Sequence, residues 1–375
     1  MLQDLRKTVG RLFLNIPGWQ TDRKIVVFES DDWGSIRMPS KGVFNKFVKK
    51  GISVEESPYC KYDSLASEED LSALFDTLLS FEDCNGNHPV FTANTVVANP
   101  DFKKIKASNF QKYFYESICD TFKRYPCHAQ NIDIWKQGKE RKIFYPQFHG
   151  REHVNVLLWL KLLQRNHPEF VFAFENHCWG LSNDIFTGMK RSIQAAFDME
   201  NTDEIGYQKK VLYTGLRLFE NIFGYRSKSF IANNFIWDSE LNKTLYENGV
   251  EYLQGMKYQK LPVYNNRKRE MIRHYLGERN ELGQYYLIRN CTFEPSQKPK
   301  KFNNVEECLK DIASAFFWNK PAIISSHRLN YVGFIEENNR DQNLELLHDL
   351  LNEIINRWPK VEFLTSDELG RLISK

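Results

Sequence analysis

The stretch that decides the fold, residues 24–34, reads KIVVFESDDWG. Its apolar run IVVF predicts a strand buried on both faces, as in a parallel sheet. The stretch ends in the pair Asp31 and Asp32. Adjacent carboxylates repel each other, burial adds to that cost, and a divalent cation would remove it. A loop turn in which one Asp caps a helix explains the pair better when the stretch is taken alone.

Similar short apolar runs recur along the chain, and most are followed by a helical pattern. Strands are predicted at 24–29, 90–97, 141–148, 170–174, 228–232, 250–253, 284–289, 322–326 and 361–365. Helices are predicted at 67–81, 153–164, 207–223, 239–248, 305–317 and 342–357. This alternation is typical of an α/β fold. Because no Gly-rich phosphate loop follows the first strand, a barrel is favoured over a doubly wound sheet.

Length and composition predict one domain over 1–375, with a core at about 22–370. A loop insertion at about 256–280 is rich in basic residues, namely Lys257, Lys260, Arg267, Lys268, Arg269 and Arg273. A second basic piece carries Lys298, Lys300 and Lys301. Both are explained either as solvated loop or as contacts to a substrate that carries phosphate.

Charge and cysteine content bound the class of protein. A net charge of +3 gives no footprint for nucleic acid. No apolar run approaches the length of a membrane span. The seven cysteines are odd in number and include no CxxC pair, so a disulfide framework is not expected. With no secretory pattern at the N-terminus, these thiols indicate the cytoplasm.

Histidines follow two other predicted strands. Residues 149–153 read HGREH, and spacing i to i+4 at the start of a helix would put His149 and His153 on one face, close enough to share an ion. His327 follows the strand at 322–326. The Asp pair and all three histidines thus lie at carboxyl ends of strands, which form the functional rim of such barrels. Surface or core histidines are the alternative interpretation.

With these motifs the chain resembles the polysaccharide deacetylases of carbohydrate esterase family 4, the NodB-homology fold. The resemblance implies a distorted (β/α)7-type barrel that binds one divalent ion, Zn²⁺ first, with Co²⁺, Ni²⁺, Mn²⁺ or Fe²⁺ as alternatives. It implies that Asp31 is the catalytic base, and that His327 is the general acid. The implied ligands are Asp32, His149 and His153. The family has Ser or Thr where this chain has Gly150.

The chain departs from the family's Arg-x-Pro motif, whose Arg orients the base. The comparable strand end, residues 229–234, reads SFIANN and has neither Arg nor Pro. Asn233 or Asn234 is expected to take over part of that role by hydrogen bonding.

Aromatic residues near strand ends are candidates for substrate contact. A pyranose ring has one apolar face, and Trp33, Trp179 and Trp237 can stack on it, although each is also an ordinary core residue. His177 follows the strand predicted at 170–174 and is expected to line the same cleft.

The expected function is hydrolysis of an acetyl group from an N-acetylated or O-acetylated sugar, glycan or sugar-carrier substrate. Two other classes remain open. One is a glycoside hydrolase with a related seven-fold barrel, which uses two carboxylates about 5–10 Å apart and needs no metal. The other is a sugar-binding protein with a residual metal site, for which the missing Arg is the best argument.

Overall fold

A computed structural model of the protein describes residues 10–11, 14–181, 189, 191–264, 268–299 and 301–375. The strands are β1 (Lys24–Trp33), β2 (Phe91–Thr95), β3 (Ala98–Pro100), β4 (Tyr115–Ser117), β5 (Phe144–Phe148), β6 (Ser229–Ile231), β7 (Tyr252–Gly255), β8 (Tyr258–Lys260), β9 (Met271–Arg273), β10 (Tyr285–Ile288), β11 (Cys291–Thr292), β12 (Ala322–His327) and β13 (Val361–Phe363).

The helices fill the connections. They are α1 (Lys41–Lys49), α2 (Pro58–Tyr62), α3 (Glu68–Leu79), α4 (Phe102–Ala107), α5 (Ile118–Arg124), α6 (Asn131–Glu140), α7 (Val156–Gln164), α8 (Pro168–Glu175), α9 (Ile205–Phe223), α10 (Leu241–Glu247), α11 (Asn304–Phe317), α12 (Glu337–Arg357) and α13 (Ser366–Ile373). Short 3₁₀ turns occupy Val54–Glu56, Thr202–Glu204, Asn233–Phe235, Pro295–Gln297 and Arg328–Asn330.

The main sheet is parallel and runs in the order β10-β7-β6-β5-β2-β1-β12-β11, with β13 pairing to the start of β1. Its two end strands are joined by only Arg289 and Asn290. The Arg289 amide bonds to Gly255 beside one end of the path, and the Asn290 amide bonds to Ile323 beside the other. The sheet therefore curls round until its ends meet, and β10 and β11 form the seam of a barrel.

One side of the barrel is distorted. β5 and β6 share a single ladder pair, Phe148 with Phe230. The Gln147 side chain bridges the remainder, because its Oε1 accepts from the Lys228 and Ser229 amides at 3.0 Å each. The Ser227 hydroxyl also donates to that oxygen, at 2.6 Å. A side chain here does what backbone pairing does elsewhere in the barrel.

The α/β alternation predicted from the sequence is confirmed, and eight of the nine predicted strands coincide with observed ones. The strand predicted at 170–174 is wrong, since these residues lie in α8. Pro168 occupies the first turn of that helix, and Phe170, Ala173 and Phe174 bury one helical face at spacing i, i+3, i+4. A five-residue apolar run does not distinguish a buried strand from a buried helix face.

The helix predicted from 153 begins later, at Val156. Its N-cap is Asn155, whose side chain accepts from the Leu158 amide at 3.1 Å. His153 therefore precedes the helix, and the helical i to i+4 geometry expected for His149 and His153 is wrong.

The segment predicted as a basic loop at about 256–280 contains an antiparallel hairpin, β8 with β9. Of its basic residues, Arg269 is paired with Asp198 at 2.7 Å. Arg267, like Lys300 in the second basic piece, lies outside the described residues. Among the helices described, none is long and apolar enough to cross a bilayer.

Candidate metal centre

The end of β1 departs from regular strand geometry at Asp32, whose φ is +74°. The pairing of β1 with β2 shifts register between Ser30 and Trp33 at the same point. In a regular strand neighbouring side chains point to opposite faces. The irregular backbone breaks that alternation, so that the side chains of Asp31 and Asp32 both face the carboxyl rim of the barrel. A non-glycine residue at positive φ is uncommon, and such strain gathers at functional sites.

The two histidines of the HGREH stretch lie on the loop between β5 and α7. Gly150 has a φ of +114° there, a conformation that L side chains rarely adopt. A Cβ at Gly150 would also come within 3.2 Å of Asn233 Oδ1. This loop's backbone thus requires Gly at position 150, and the loop turns both imidazoles toward Asp32.

Three donor atoms converge at this rim. The Nε2 atoms of His149 and His153 lie 3.3 Å and 2.9 Å from Asp32 Oδ1. All three side chains are buried, and within the described ranges they form the group of His and carboxylate ligands that could hold a metal ion. Bonds of about 2.0–2.1 Å to a tetrahedral ion place neighbouring ligand atoms about 3.3 Å apart. The observed spacing is therefore close to that of a metal-binding triad.

The hydrogen-bond partners of His149 suit a metal ligand. Its Nδ1 lies 2.9 Å from the Ile231 carbonyl, so that nitrogen carries the proton and Nε2 presents its lone pair. The Asn233 amide nitrogen lies 3.1 Å from the same Nε2, and the buried Asn233 Oδ1 has no partner. Burial lowers the pKa of His153 to about 4, which keeps that imidazole neutral.

The charge around the triad also favours a cation. Burial alone would raise the pKa of Asp32, but His153 and Arg37 hold it well below its usual value, so the carboxylate is ionised. Among the buried charged side chains that the contacts of this rim join, carboxylates outnumber guanidinium groups. The carboxylates are Glu29, Asp31, Asp32, Asp63 and Glu294, and the guanidinium groups are Arg37, Arg289 and Arg328. Counting the His327 imidazolium as a fourth cation still leaves one carboxylate in excess. A divalent ion compensates such an excess.

Asp31 is held by an arginine that sequence analysis missed. Arg289, directly after β10, donates to both oxygens of Asp31 at 2.6 Å and 2.7 Å and to Glu29 at 2.6 Å. Asn94 donates to Asp31 Oδ1 at 2.8 Å. Burial would raise the pKa of Asp31, but Arg289 lowers it below its usual value. An ionised, fixed carboxylate results.

An Arg thus reaches Asp31 from the seam of the barrel, where β10 ends, rather than from the strand end at 229–234. The candidate histidines were found because they directly follow an apolar strand. The same rule applies to residues 285–289, which read YYLIR, and would have identified Arg289.

His327 stands beside Asp31 because of strand register. In the β1–β12 ladder these two residues are direct partners, and His327 Nε2 lies 3.7 Å from Asp31 Oδ2. Its other nitrogen lies 2.5 Å from Glu294 Oε1. Burial lowers the pKa of an imidazole, yet Glu294 and Asp31 outweigh it and raise the pKa of His327 to about 9. Its side chain keeps 18% of its surface exposed, so a protonated imidazole faces the open side of the rim.

A second group of charges braces Asp32 from behind. Arg37 donates to Asp32 Oδ2 at 3.1 Å and lies 3.0 Å from Asp63 Oδ2. Arg328 donates to Asp63 Oδ1 at 2.7 Å. The Arg37 guanidinium also lies over the Tyr59 ring, 4.7 Å from its centroid. One oxygen of Asp32 is thereby occupied, and the other is left for the triad.

All three tryptophans expected to contact substrate lie in the core. Trp33 packs edge-on against Phe144 at 4.8 Å, and Trp237 donates its indole N–H to Asn242 at 3.1 Å. Both are almost fully buried, so the expected sugar stacking is wrong for them. Trp179 is equally buried and stacks on His153 with 5.8 Å between ring centroids. It forms a wall of the triad, and the expected sugar stacking is wrong for it as well.

The remaining candidates lie in different surroundings. Asn233 contacts His149, as described above, and Asn234 is exposed with a φ of +57°. Asp31 accepts its hydrogen bonds from Arg289 and Asn94, so the expectation that Asn233 or Asn234 orients the base is wrong.

His177 is exposed at the end of α8 and stacks on Phe102 at 5.2 Å. His177 was expected to line the cleft because it follows an apolar run. That run is a helix, which places the His177 side chain against Phe102 instead.

No protein family model matches the chain, and no curated protein matches it either. Among solved structures, a protein assigned as a glycoside hydrolase/deacetylase from Parabacteroides distasonis is similar, with a TM-score of 0.53 and 8% identity over 96% of this chain and 72% of that one. Proteins assigned as polysaccharide deacetylases from Mycobacterium smegmatis and Pseudomonas aeruginosa PAO1 both give TM-scores of 0.46. Their identities are 10% over 95% of this chain and 92% of that one, and 12% over 93% and 91%. At such identities the likeness concerns the fold alone. Together with the curled strand path, the likeness to the Parabacteroides distasonis protein confirms the predicted distorted (β/α) barrel.

Proposed function

We propose that this protein is a metal-dependent hydrolase that removes an acetyl group from an N-acetylated or O-acetylated sugar. The observation that carries the proposal is the convergence of Asp32, His149 and His153 beside Asp31 and His327 at one rim of the barrel. We further propose that residues 1–375 act as one catalytic domain.

The ion would be held by Asp32 and the two histidines. Mixed N and O donors suit Zn²⁺ and other first-row divalent ions. When bound, such an ion lowers the pKa of a water and stabilises negative charge on a carbonyl oxygen.

The rest of the chemistry falls to side chains of this chain. Asp31 accepts a proton from the attacking water, and Arg289 keeps its carboxylate ionised and oriented. His327 donates a proton to the leaving amine or alcohol. Glu294 supports this role because its carboxylate keeps the imidazole protonated near neutral pH. Arg289 and Glu294 act through their neighbours and are positioning residues.

The partners of the two aspartates favour this assignment over a glycoside hydrolase. Asp31 and Asp32 are adjacent, and each is already bound by its own arginine, Arg289 and Arg37. Two carboxylates that flank a glycosidic bond lie about 5–10 Å apart across the substrate. Arg289 also weakens the argument for a residual binding protein, because the brace that the base needs is present.

Acetate release from a panel of N-acetylhexosamine compounds, free, polymeric and carrier-linked, tests the proposal. We expect turnover that a chelator abolishes and added Zn²⁺ restores. Elemental analysis of the same sample should give about one equivalent of metal. Chelator-insensitive cleavage of glycosidic bonds would instead establish the glycoside hydrolase. Sugar binding without acetate release would establish the binding protein.

A further inference from the structure

The β8–β9 hairpin carries an unusual concentration of exposed apolar side chains. Five of the ten large apolar residues exposed in the described part of the chain fall within 256–275, and they are Met256, Tyr258, Met271, Ile272 and Tyr275. Met271 alone is 59% exposed. Scattered single exposures are ordinary, but a contiguous apolar patch marks an interaction surface.

Strand register shows how the patch is arranged. Tyr258 stands opposite Arg273, and Lys260 stands opposite Met271. Directly opposed residues of an antiparallel pair point to the same side. The outer face of this hairpin therefore alternates two apolar and two basic side chains, with Lys257 beside them at 5.5 Å from the Tyr258 ring centroid. We call this set the hairpin patch. Ile272 stands opposite Gln259, so it points to the other face of the hairpin and is not part of the patch.

The inner face fixes the hairpin to the barrel. Gln259, on the side opposite the patch, is buried and donates to the Trp237 carbonyl at 2.9 Å. His274 lies 2.9 Å from the Gln259 side-chain oxygen and stacks on Tyr286 with 3.7 Å between ring centroids. Because these inner contacts hold the ribbon, its outer face stays turned to solvent.

The charge on the patch selects the partner. Among the residues described, no carboxylate lies within ion-pair distance of the basic side chains of the patch, which are Lys257, Lys260 and Arg273. The nearest exposed acid along the chain is Glu270, three residues before Arg273. Glu278, the other acid of the segment, is engaged with His274 and the Tyr275 amide. A second copy of the patch would set bases against bases, so self-association through it is disfavoured.

We propose that the hairpin patch binds the surface of an anionic lipid bilayer. Met271 and the tyrosine rings would enter the boundary between headgroups and acyl chains, and the basic side chains would pair with lipid phosphates. The hairpin follows β7, which contains Gln254. The side-chain amide of Asn94 donates to both Gln254 and Asp31, so the hairpin begins at the same rim as the metal centre. Bilayer binding goes beyond the proposed hydrolysis and does not depend on it.

Co-sedimentation of the full-length protein with vesicles tests the proposal. We expect binding to vesicles of phosphatidylglycerol mixed with phosphatidylcholine, and little binding to phosphatidylcholine alone. Binding should weaken as salt is raised. Each basic residue removed, in Lys257→Gln and Arg273→Gln, should weaken binding about fivefold, the equivalent of about 1 kcal/mol per charge. The double variant Tyr258→Ser with Met271→Ser should lose binding as well.

Matched controls lie on other faces of the protein. Tyr213 and Phe317 are exposed apolar residues on α9 and α11, and Tyr213→Ser and Phe317→Ser should bind like the parent. In the unaltered protein, vesicles should slow amide hydrogen exchange in peptides from 256–275. Equal binding to both vesicle types, or parental binding by the patch variants, overturns the proposal. So does a dimer in sedimentation equilibrium that the double patch variant dissociates, since a second copy would then cover the patch.

Discussion

Asp31 and Asp32 follow each other in the chain, yet their surroundings assign them different tasks. Asp31 has both oxygens on Arg289, whereas Asp32 gives one oxygen to Arg37 and turns the other to two histidines. The positive φ of Asp32 makes this division feasible, because it sends two consecutive side chains to one rim. At the residue scale, function depends on which partner each carboxylate meets.

The ligand assignment predicts the behaviour of single histidine variants. His149→Ala and His153→Ala should each lose the bound metal, because two remaining donors leave an ion weakly held. Elemental analysis after dialysis measures this directly. His177→Ala is the matched control, since His177 is exposed on Phe102 and should retain metal. Parental metal content in both triad variants would show that the ligands are elsewhere.

Arg289→Lys should separate positioning from metal binding. A lysine cannot reproduce the bidentate contact, and slight misplacement of a catalytic group costs about 10–100-fold in rate. Arg289 lowers the pKa of Asp31 through its charge and its hydrogen bonds. Lysine keeps the charge but loses the paired hydrogen bonds, so the pKa of Asp31 rises part of the way. The base must be ionised, and the acidic limb of the pH–rate profile should therefore move to higher pH. Metal content should stay parental. An unmoved acidic limb would assign Arg289 a structural role alone.

His327→Gln should change the other limb of the profile. An acid whose pKa is about 9 is protonated below that pH and loses its proton as pH rises through it. The parent should therefore lose activity above about pH 9, while the variant should lack this limb and turn over about 10²–10⁴-fold more slowly. Rates at saturating substrate across pH 6–10 measure both effects. A limb near pH 9 that survives in the variant must belong to another group.

At the scale of elements, sequence periodicity located most strands. It did not predict features that depend on turns and helix boundaries. Buried parallel strands are recognised in the sequence as apolar runs. The polar residues that end these runs identified Asp31, Asp32, His149 and His327 as candidates. Periodicity could not show that 170–174 is helical, since five apolar residues fit both patterns. It could not show that His153 precedes its helix, because the N-cap at Asn155 decides that boundary.

The contact of Glu294 with His327 had no sequence signal either, since Glu294 lies in a loop that only the fold brings back to β12. Trp33 and Trp237 show the converse error. Proximity to a strand end in sequence does not say which face of the barrel wall a side chain takes.

The loop between β5 and α7 depends on Gly150. Gly150→Ala forces an L residue into a φ of +114° and brings its Cβ to 3.2 Å from Asn233. We expect a stability loss of about 1–3 kcal/mol and weaker metal binding, because the loop must shift. Gly86→Ala is the control, with a φ of +75° and no atom within 4 Å of the added Cβ. It should lower Tm but leave metal affinity unchanged. Equal metal affinity in both variants would contradict the role given to this loop.

At the scale of the whole molecule, buried charges join segments that are distant in sequence. Asp63, directly after α2, pairs with Arg37 from the segment after β1 and with Arg328 directly after β12. These three side chains are almost fully buried. Their contacts fix the rim of the barrel from three directions.

Asp63→Asn should therefore destabilise the fold by about 3–5 kcal/mol, because it leaves two buried guanidinium groups without their shared carboxylate. Thermal or urea unfolding measures the loss. Glu336→Gln removes a surface partner of Lys41, and both of those side chains are largely exposed. That change should cost about 0–1 kcal/mol. Similar losses in the two variants would mean that the buried group does not brace the rim.

The seam of the barrel limits where residues can be inserted into this chain. β10 and β11 stand at opposite ends of the strand path, and only Arg289 and Asn290 connect them. Residues inserted at this joint would let the two edges part and draw the guanidinium away from Asp31. The exposed turn around Gly86 has no such task. A grafted reporter peptide, or an insertion gained in evolution, is tolerated at that turn. Neither is tolerated at the two-residue joint.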